Sequence, residues 1–144
     1  MTFLRTPDTP GLDASYERCR RVHRRHDPTY YLATRRLPAE VQPAVHALYA
    51  FVRSVDQLVD GPRRAADPAA RLAAVDGREC ELREARAGGL APDAAIAALV
   101  DAGARHGLPL DELELYFVSM RLDCAPVRIQ TWRERERYMQ GSVG

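Results

Sequence analysis

Apolar positions recur at helical spacing through nearly the whole chain. From Leu12 to His26, apolar and aromatic side chains fall three or four residues apart, and no valine-rich alternating run is present anywhere. A period near 3.6 is typical of amphipathic helices, whereas strict alternation would indicate strands. The pattern therefore predicts an all-α protein of about six helices, without internal repeats.

Proline and glycine predict where these helices begin and end. A residue that precedes proline is pushed out of the helical region, so Pro28 and Pro38 bracket a short helix over residues 29–36. Gly61-Pro62 ends a long central helix, and Asp67-Pro68 opens another that runs to Ala87. A further helix is predicted over residues 93–106.

Two pairs near the C-terminus resemble capping boxes that open further helices: Asp111 with Glu114, and Thr131 with Glu134. At the other end, prolines and a glycine within residues 1–11 predict a flexible N-terminal arm. Residues 12–144 are then expected to form one helical domain.

The central helix carries a narrow polar stripe. Tyr49, Arg53, Asp56 and Asp60 follow one another at offsets of four, three and four, while the remaining positions are mostly apolar. Side chains at this spacing share one face, so we expect both carboxylates to face a cavity inside an otherwise buried helix. Two like charges in an apolar site need a cation, and all-oxygen ligands suit Mg²⁺ shared with substrate phosphates.

An acidic pair four residues apart is also common on solvated helix faces. Asp13 and Glu17 have the same spacing in a polar neighbourhood, and we interpret them as surface residues. Asp60 differs because Gly61-Pro62 places it at the C-terminal end of its helix, where the macrodipole disfavours an anion and favours a cation beside it.

Composition narrows the class of protein. The chain has 144 residues, 46% of them hydrophobic, a net charge of +1, and 21 basic residues that are all arginine. Cys19, Cys80 and Cys124 are too few and too widely spaced for a disulfide framework or a zinc site, which indicates a reducing cytoplasm. Without a long apolar run or a signal-like start, we expect neither a membrane span nor export.

Arginines cover one face of the first predicted helix, at positions Arg18, Arg20, Arg21, Arg24 and Arg25. A solvated face is the simplest interpretation, and the alternatives are a peripheral membrane contact through anionic lipid headgroups or binding to nucleic acid. The near-neutral net charge and the adjacent acid disfavour nucleic acid, so we expect no such partner.

Several motifs together resemble the squalene/phytoene synthase family, and within it the bacterial phytoene synthases. They are the segments His26–Pro38, Ala47–Arg53, Asp56–Asp60, Tyr116–Asp123 and Tyr138–Gly144. A lone Asp-x-x-x-Asp would be a weak signal, but this order and spacing of five segments is specific.

The resemblance implies a partial isoprenoid-synthase-type helical bundle and a head-to-head prenyltransferase. Two molecules of geranylgeranyl diphosphate would condense through a cyclopropyl diphosphate to phytoene, in carotenoid biosynthesis. The alternative within the family is a squalene-type synthase that uses farnesyl diphosphate.

The resemblance also assigns roles to the stripe residues. Asp56 and Asp60 match the first aspartate-rich motif, which holds Mg²⁺ against the diphosphate, and Arg53 matches a diphosphate-binding arginine. Tyr49 matches a cavity tyrosine whose ring lies near the carbocation. We expect Asp56, Asp60, Arg53 and Tyr49 to form the catalytic set.

Four further positions match the substrate cavity of the family. Thr29 and Tyr30 correspond to a hydroxyl and an aromatic residue near the substrate, and Asp123 and Tyr138 correspond to the cavity wall. The plainer alternatives are that Tyr30, like Tyr49, is a core aromatic residue and that Asp123 caps a helix end.

The chain departs from the family pattern in two ways. Gln57 stands where many relatives have a second adjacent aspartate, and no second Asp-x-x-x-Asp motif follows before Gly144. The chain thus resembles the N-terminal half of a family member, and we expect it not to complete the reaction alone. A different hypothesis is a non-catalytic helical subunit whose exposed apolar residues, such as Leu113, Phe117 and Met120, bind a partner chain that supplies the missing half.

Overall fold

The computed structural model describes residues 10–124, and these residues form helices and no strands. The elements are α1 Pro10–His26, α2 Pro28–Thr34, α3 Gln42–Asp60, α4 Pro68–Arg86, α5 Ala94–His106, a 3-10 turn Leu110–Glu112 and α6 Leu113–Cys124. The predicted all-α class with about six helices is confirmed within this range. The helix predicted to start at Thr131 lies outside the described residues.

Local polar chemistry sets several helix ends. The Asp27 carboxylate accepts a hydrogen bond from the Tyr30 amide at 3.1 Å, and Asp93 accepts one from the Ile96 amide at the same distance. Each carboxylate satisfies an amide that has no partner within its helix. Gly107 ends α5 at a φ of 63°, a left-handed conformation that favours glycine.

Two helix starts differ from the sequence pattern. α1 begins at Pro10, so the last two residues of the predicted arm are helical, and residues 1–9 lie outside the described range. Before α6 the chain makes the 3-10 turn, whereas the capping-box pattern at Asp111 predicted a regular helical start.

The chain divides into two compact units. The first contains the chain up to Val52 together with Glu81–Leu108, and the second contains Arg53–Cys80 and the chain from Pro109 onward. The boundary therefore crosses α3 and α4. In the first unit α1 packs against α5 and α2, and its buried side chains include Cys19, Phe51, Ile96 and Leu99. The second unit has its own buried side chains, among them Val55, Val59, Val75 and Phe117.

α3 is less buried than its composition predicted. Ala47, Phe51 and Val55 are fully buried, but Leu48 is 38% exposed and Gln57 is also exposed. The expectation of a helix buried on almost every side is wrong, because a largely apolar helix still buries only the face against which neighbours pack.

The apolar face of α6 also differs from the prediction. Phe117 is 1% exposed and belongs to the core, so it is not an interface residue as the sequence pattern suggested. The exposed apolar residues of α6 are Leu115, Val118 and Leu122.

The arginine face of α1 is solvated, with one exception. Arg18, Arg21, Arg24 and Arg25 are exposed, whereas Arg20 is half-buried and pairs with Glu17. In the part of the chain that the structure describes, no helix has both the length and the hydrophobicity to span a bilayer. Peripheral membrane contact stays a prediction.

Candidate functional site

All four residues of the predicted polar stripe lie on α3. Tyr49 falls in the first unit, and Arg53, Asp56 and Asp60 fall in the second. Tyr49, Arg53 and Asp56 are half-buried, whereas Asp60 is exposed at the last helical residue. The environment of each side chain is therefore described within its own unit.

The end of α3 is fixed by Gly61. A side-chain carbon added at this position would lie 2.5 Å from the backbone oxygen of Gln57, closer than such atoms approach in proteins. The Gly61 amide bonds to that same oxygen at 3.0 Å. A glycine is thus required directly after Asp60, and Asp60 stays at the negative end of the helix dipole.

In the second unit, three carboxylates and a tyrosine form what we call the acidic cluster: Asp56, Asp60, Asp123 and Tyr116. The Tyr116 hydroxyl on α6 donates a hydrogen bond of 2.9 Å to Asp56 Oδ1 on α3. Burial raises the pKa of the Asp56 carboxyl, the Tyr116 hydrogen bond opposes this, and the charges of Asp60 and Asp123 raise it further. Arg53 acts in the opposite direction.

Asp123 contributes an unsatisfied oxygen to the acidic cluster. Its Oδ1 atom is buried and has no hydrogen-bond partner among the described residues. Burial and the negative charge of Asp56 are the main causes that raise the pKa of the Tyr116 hydroxyl, which therefore stays protonated and can donate. Within residues 10–124, the charges of Asp60 and Asp123 act on Asp56 against that of Arg53, and this local excess of negative charge favours a cation.

Tyr116 is a member of this cluster to which the sequence analysis assigned no role. It precedes Asp123 by seven residues, or two helical turns, so both project from the same face of α6. The sequence thus indicates that Tyr116 and Asp123 share a helix face. It does not indicate which residue of α3 the tyrosine contacts.

α6 is held on α4 by an arginine next to the acidic cluster. Arg121 Nε donates to Asp76 Oδ1 at 2.8 Å, and its terminal nitrogen pairs with Glu79. Both partners lie on α4 in the same unit. These ion pairs fix the helix that carries Tyr116 and Asp123.

In the first unit, aromatic rings gather around two buried histidines. We call His23, His46, Tyr30, Tyr31 and Tyr49 the histidine–tyrosine cluster. The two Nδ1 atoms of His23 and His46 lie 2.9 Å apart. The His23 ring stacks on Tyr49, with centroids 4.3 Å apart and an angle of 18°, and meets Tyr30 edge-on at 4.8 Å. His46 stacks on Tyr31 at 5.4 Å.

Burial keeps this pair of histidines neutral. His23 and His46 are 0% and 4% exposed, and desolvation lowers both pKa values, that of His46 to about 4. Two charged residues lie nearby on α1: Arg20 adds to the lowering for His46 and Glu17 opposes it.

Asp27 opposes the lowering of the pKa for His23. Arg20 also donates a hydrogen bond of 3.0 Å to the Tyr31 hydroxyl, while pairing with Glu17. The charges that surround the two histidines are therefore largely paired with one another.

The remaining predicted substrate residues are less enclosed. Thr29 is exposed and Tyr30 is 48% exposed, with its ring 6.3 Å from that of Tyr49. Tyr138 lies outside the described residues. A surface pocket of about 660 Å³ in the first unit contains none of the predicted site residues; its lining includes Asp13, Tyr16, Glu40, Pro43, Arg105 and His106.

The described residues do not form a complete metal site. Between residues 10 and 124, no three His, Cys, Asp or Glu groups lie close enough together to hold an ion. The three aspartates of the acidic cluster supply carboxylate oxygens, the donors that Mg²⁺ and Ca²⁺ prefer, and one of these oxygens is buried with no partner among residues 10–124. This donor set fits a cation that takes its other ligands from elsewhere.

Comparison with known proteins identifies the family that this sequence matches. The sequence profile described as squalene/phytoene synthase matches residues 23–144. The chain is 32% identical over 137 residues to a 15-cis-phytoene synthase of Synechococcus elongatus, a match that covers 93% of this chain and 43% of that protein. It is 31% identical over 144 residues to a phytoene synthase of Arthrospira platensis, covering 98% and 45%.

A solved structure gives the same result for the fold. Squalene synthase HpnC of Alicyclobacillus acidocaldarius superposes with a TM-score of 0.75 and 33% sequence identity, covering 91% of this chain and 48% of that one. The chain thus spans less than half the length of these relatives.

Proposed function

The chain belongs to the squalene/phytoene synthase family, and from that premise we propose that it supplies the first diphosphate-binding wall of a head-to-head prenyltransferase. The observation that carries this proposal is the acidic cluster. Asp56 and Asp60 stand one turn apart on α3, beside Arg53, with Tyr116 bonded to Asp56.

Asp56 and Asp60 would hold Mg²⁺ together with diphosphate oxygens. Mg²⁺ is usually bound by one or two carboxylates plus substrate phosphates and keeps several waters, so a two-aspartate contribution is sufficient. The oxygen of Asp123 that has no partner among the described residues is not counted as a third ligand to the same ion, since no three acidic groups there are close enough to hold one. When bound, Mg²⁺ stabilises the charge that develops on the departing diphosphate.

The other predicted site residues have separate tasks in this proposal. Arg53 would bind the diphosphate, because its planar guanidinium can donate two parallel hydrogen bonds to phosphate oxygens. The ring faces of Tyr49 and Tyr30 would lie along the prenyl chain, where an aromatic face stabilises an allylic cation. Thr29, Asp123 and Tyr138 would complete the substrate-binding set.

We propose geranylgeranyl diphosphate as the substrate class, condensed to phytoene through a cyclopropyl diphosphate in carotenoid biosynthesis. Relatives named phytoene synthase, such as those of Synechococcus and Arthrospira, support this choice. The squalene synthase HpnC supports farnesyl diphosphate as the alternative.

Calorimetric titration of the chain with geranylgeranyl diphosphate tests the proposal. Binding is expected with Mg²⁺ and not with EDTA, and geranylgeraniol, which lacks the diphosphate, is expected not to bind. Equal affinity with and without Mg²⁺ would contradict the metal role.

The exposed apolar residues of α6 favour a second candidate function. Leu115, Val118 and Leu122 are 68%, 49% and 47% exposed at a spacing of three and four. A helical subunit would bury such a stripe against a partner chain that supplies the C-terminal half of the enzyme. Co-purification with a separately expressed C-terminal half of a relative tests this. Phytoene synthesis by the mixture would show that the chain both binds a partner and contributes to the catalytic site.

A further inference from the structure

The histidine–tyrosine cluster contains an atom whose environment restricts where its protons lie. Nε2 of His23 is buried and has no hydrogen-bond partner among the described residues, while Nδ1 lies 2.9 Å from His46 Nδ1. A neutral imidazole carries one proton, on one nitrogen or the other. Two facing Nδ1 atoms form a hydrogen bond only if one of them is protonated.

The unpartnered nitrogen decides between the two arrangements. A proton on Nε2 of His23 would create a buried N–H without an acceptor. A proton on Nδ1 is used in the bond to His46 and leaves a lone pair at Nε2, and proteins tolerate an unpaired acceptor more often than an unpaired N–H. His23 is therefore the donor through Nδ1, and His46 is the acceptor with its own proton on Nε2. A charged His23 would again place an unpaired N–H in the core.

His23 makes two contacts to α3 from its position on α1. It is hydrogen-bonded to His46, and its flat face stacks on Tyr49, three residues further along the same helix. The edge contact with Tyr30 joins α2 to the same ring. A fully buried ring that is fixed at one edge holds the neighbour on its face in a defined orientation.

We propose that His23 is a positioning residue for Tyr49: a neutral imidazole, protonated on Nδ1 and anchored on His46, whose face sets the angle of the Tyr49 ring. The role of this positioning in substrate binding rests on the proposed function, in which Tyr49 lines the prenyl site. His23 itself acts through Tyr49 and does not contact substrate.

Nuclear magnetic resonance of the unmodified chain, with ¹⁵N-labelled histidine, tests the anchor directly. His23 is expected to show a protonated Nδ1 and an unprotonated Nε2, and His46 the reverse. Ring protons of His23 and Tyr49 are expected to show mutual nuclear Overhauser contacts. Protonation of Nε2 on both rings, or absence of the contacts, would overturn the proposal without any substitution.

Two substitutions separate the anchor from the stacked face. His23→Asn keeps a donor near the Nδ1 position and removes the ring, whereas His23→Phe keeps the ring and removes the donor. If ring stacking positions Tyr49, His23→Asn is expected to weaken Mg²⁺-dependent binding of geranylgeranyl diphosphate about tenfold, the equivalent of one aromatic pair. His23→Phe keeps the stacked face and loses the anchor, so it is expected to recover only part of that affinity. Full recovery would show that the bond to His46 is dispensable and would overturn the anchor.

The exposed His106, changed to Asn, is the matched control and should leave the affinity unchanged. Equal affinity in His23→Asn and the unmodified chain would overturn the positioning role. Failure of the unmodified chain to bind the ligand would instead refute the proposed function, and the positioning claim would then be decided by the resonance data alone.

Discussion

The histidine–tyrosine cluster and the acidic cluster both place polar side chains against apolar surroundings, but they balance them differently. In the first, His23 and His46 bond to each other and stay neutral. In the second, Asp56 accepts from Tyr116, and Asp60 and Asp123 add negative charge that Arg53 opposes only in part within the described residues. Polar side chains that bond to each other inside the fold stabilise it. An excess of negative charge instead indicates that a cation binds there.

The strongest test of this contrast removes the charge of the acidic cluster. Asp56→Asn combined with Asp60→Asn is expected to weaken Mg²⁺-dependent geranylgeranyl diphosphate binding by about 4 kcal/mol, roughly a thousandfold, because each removes a charged metal ligand. Calorimetric titration measures this.

The chain provides a control of equal charge change at two exposed acids outside both clusters. Glu112→Gln combined with Glu114→Gln is expected to change the affinity less than about twofold, since exposed charges contribute little. Similar losses in the two double variants would show that the effect is one of net charge and not of the acidic cluster.

Acidification should destabilise the histidine–tyrosine cluster. The pKa of His46 falls from an unfolded value of 6.5 to about 4 in the folded chain. Between these two values the unfolded state binds more protons, so stability is expected to fall as pH drops from 6.5 to 4, by up to about 3 kcal/mol. Urea unfolding at a series of pH values, followed by tyrosine fluorescence, measures the loss.

His46→Phe identifies the source of that pH dependence. This variant removes the titrating imidazole and retains a ring at the same place, so the slope between pH 6.5 and 4 should become shallower. An unchanged slope would assign the acid sensitivity to other groups. Asp56 has the opposite effect on the pH dependence of stability. Its pKa is raised in the folded chain, so acidification protonates the half-buried carboxylate and adds to stability.

Removal of the tyrosine hydroxyl from the acidic cluster should have a smaller effect. Tyr116→Phe deletes the 2.9 Å bond to Asp56 Oδ1 and keeps the ring. A hydrogen bond to a charged group contributes about 1.5 to 3 kcal/mol, so Mg²⁺-dependent binding is expected to weaken by about tenfold. Higher affinity in the variant would mean that Tyr116 competes with the cation instead of orienting its ligand.

The smallest effect is expected on the exposed side of α6. Leu115→Ala removes a side chain that is 68% exposed, and the free energy of unfolding should change by less than about 0.5 kcal/mol. Phe117→Ala, two residues away and 1% exposed, should cost about 3 to 5 kcal/mol. A large loss from Leu115→Ala in the isolated chain would show that the stripe is already covered.

Much of the fold was predictable because its signals are local. Asp27 and Asp93 cap helices whose starts follow directly from an acid placed before the first turn, and Gly61-Pro62 ends α3 where the pattern predicted. The position of the stripe on α3 was likewise readable from spacing alone. Each of these depends on neighbours within a few residues in sequence.

The contacts that give the clusters their chemistry join distant parts of the sequence. Tyr116 and Asp56 are 60 residues apart, and His23 and His46 are 23 apart, so neither pair leaves a local signature. The burial of α3 was overestimated for the same reason: Leu48 and Phe51 are both large and apolar, and only packing decides that the first is exposed.

Gly61 links the length of a helix to the field at its end. In the conformation that ends α3 a methyl group does not fit at this position, so glycine permits the turn that places the terminal carbonyl groups beside the Asp60 carboxylate. An added helical turn would carry those carbonyl dipoles away from the acid and weaken their attraction for a divalent ion. Gly61, which has no side chain, thereby helps to set the electrostatic potential beside Asp60, where the proposed Mg²⁺ would bind.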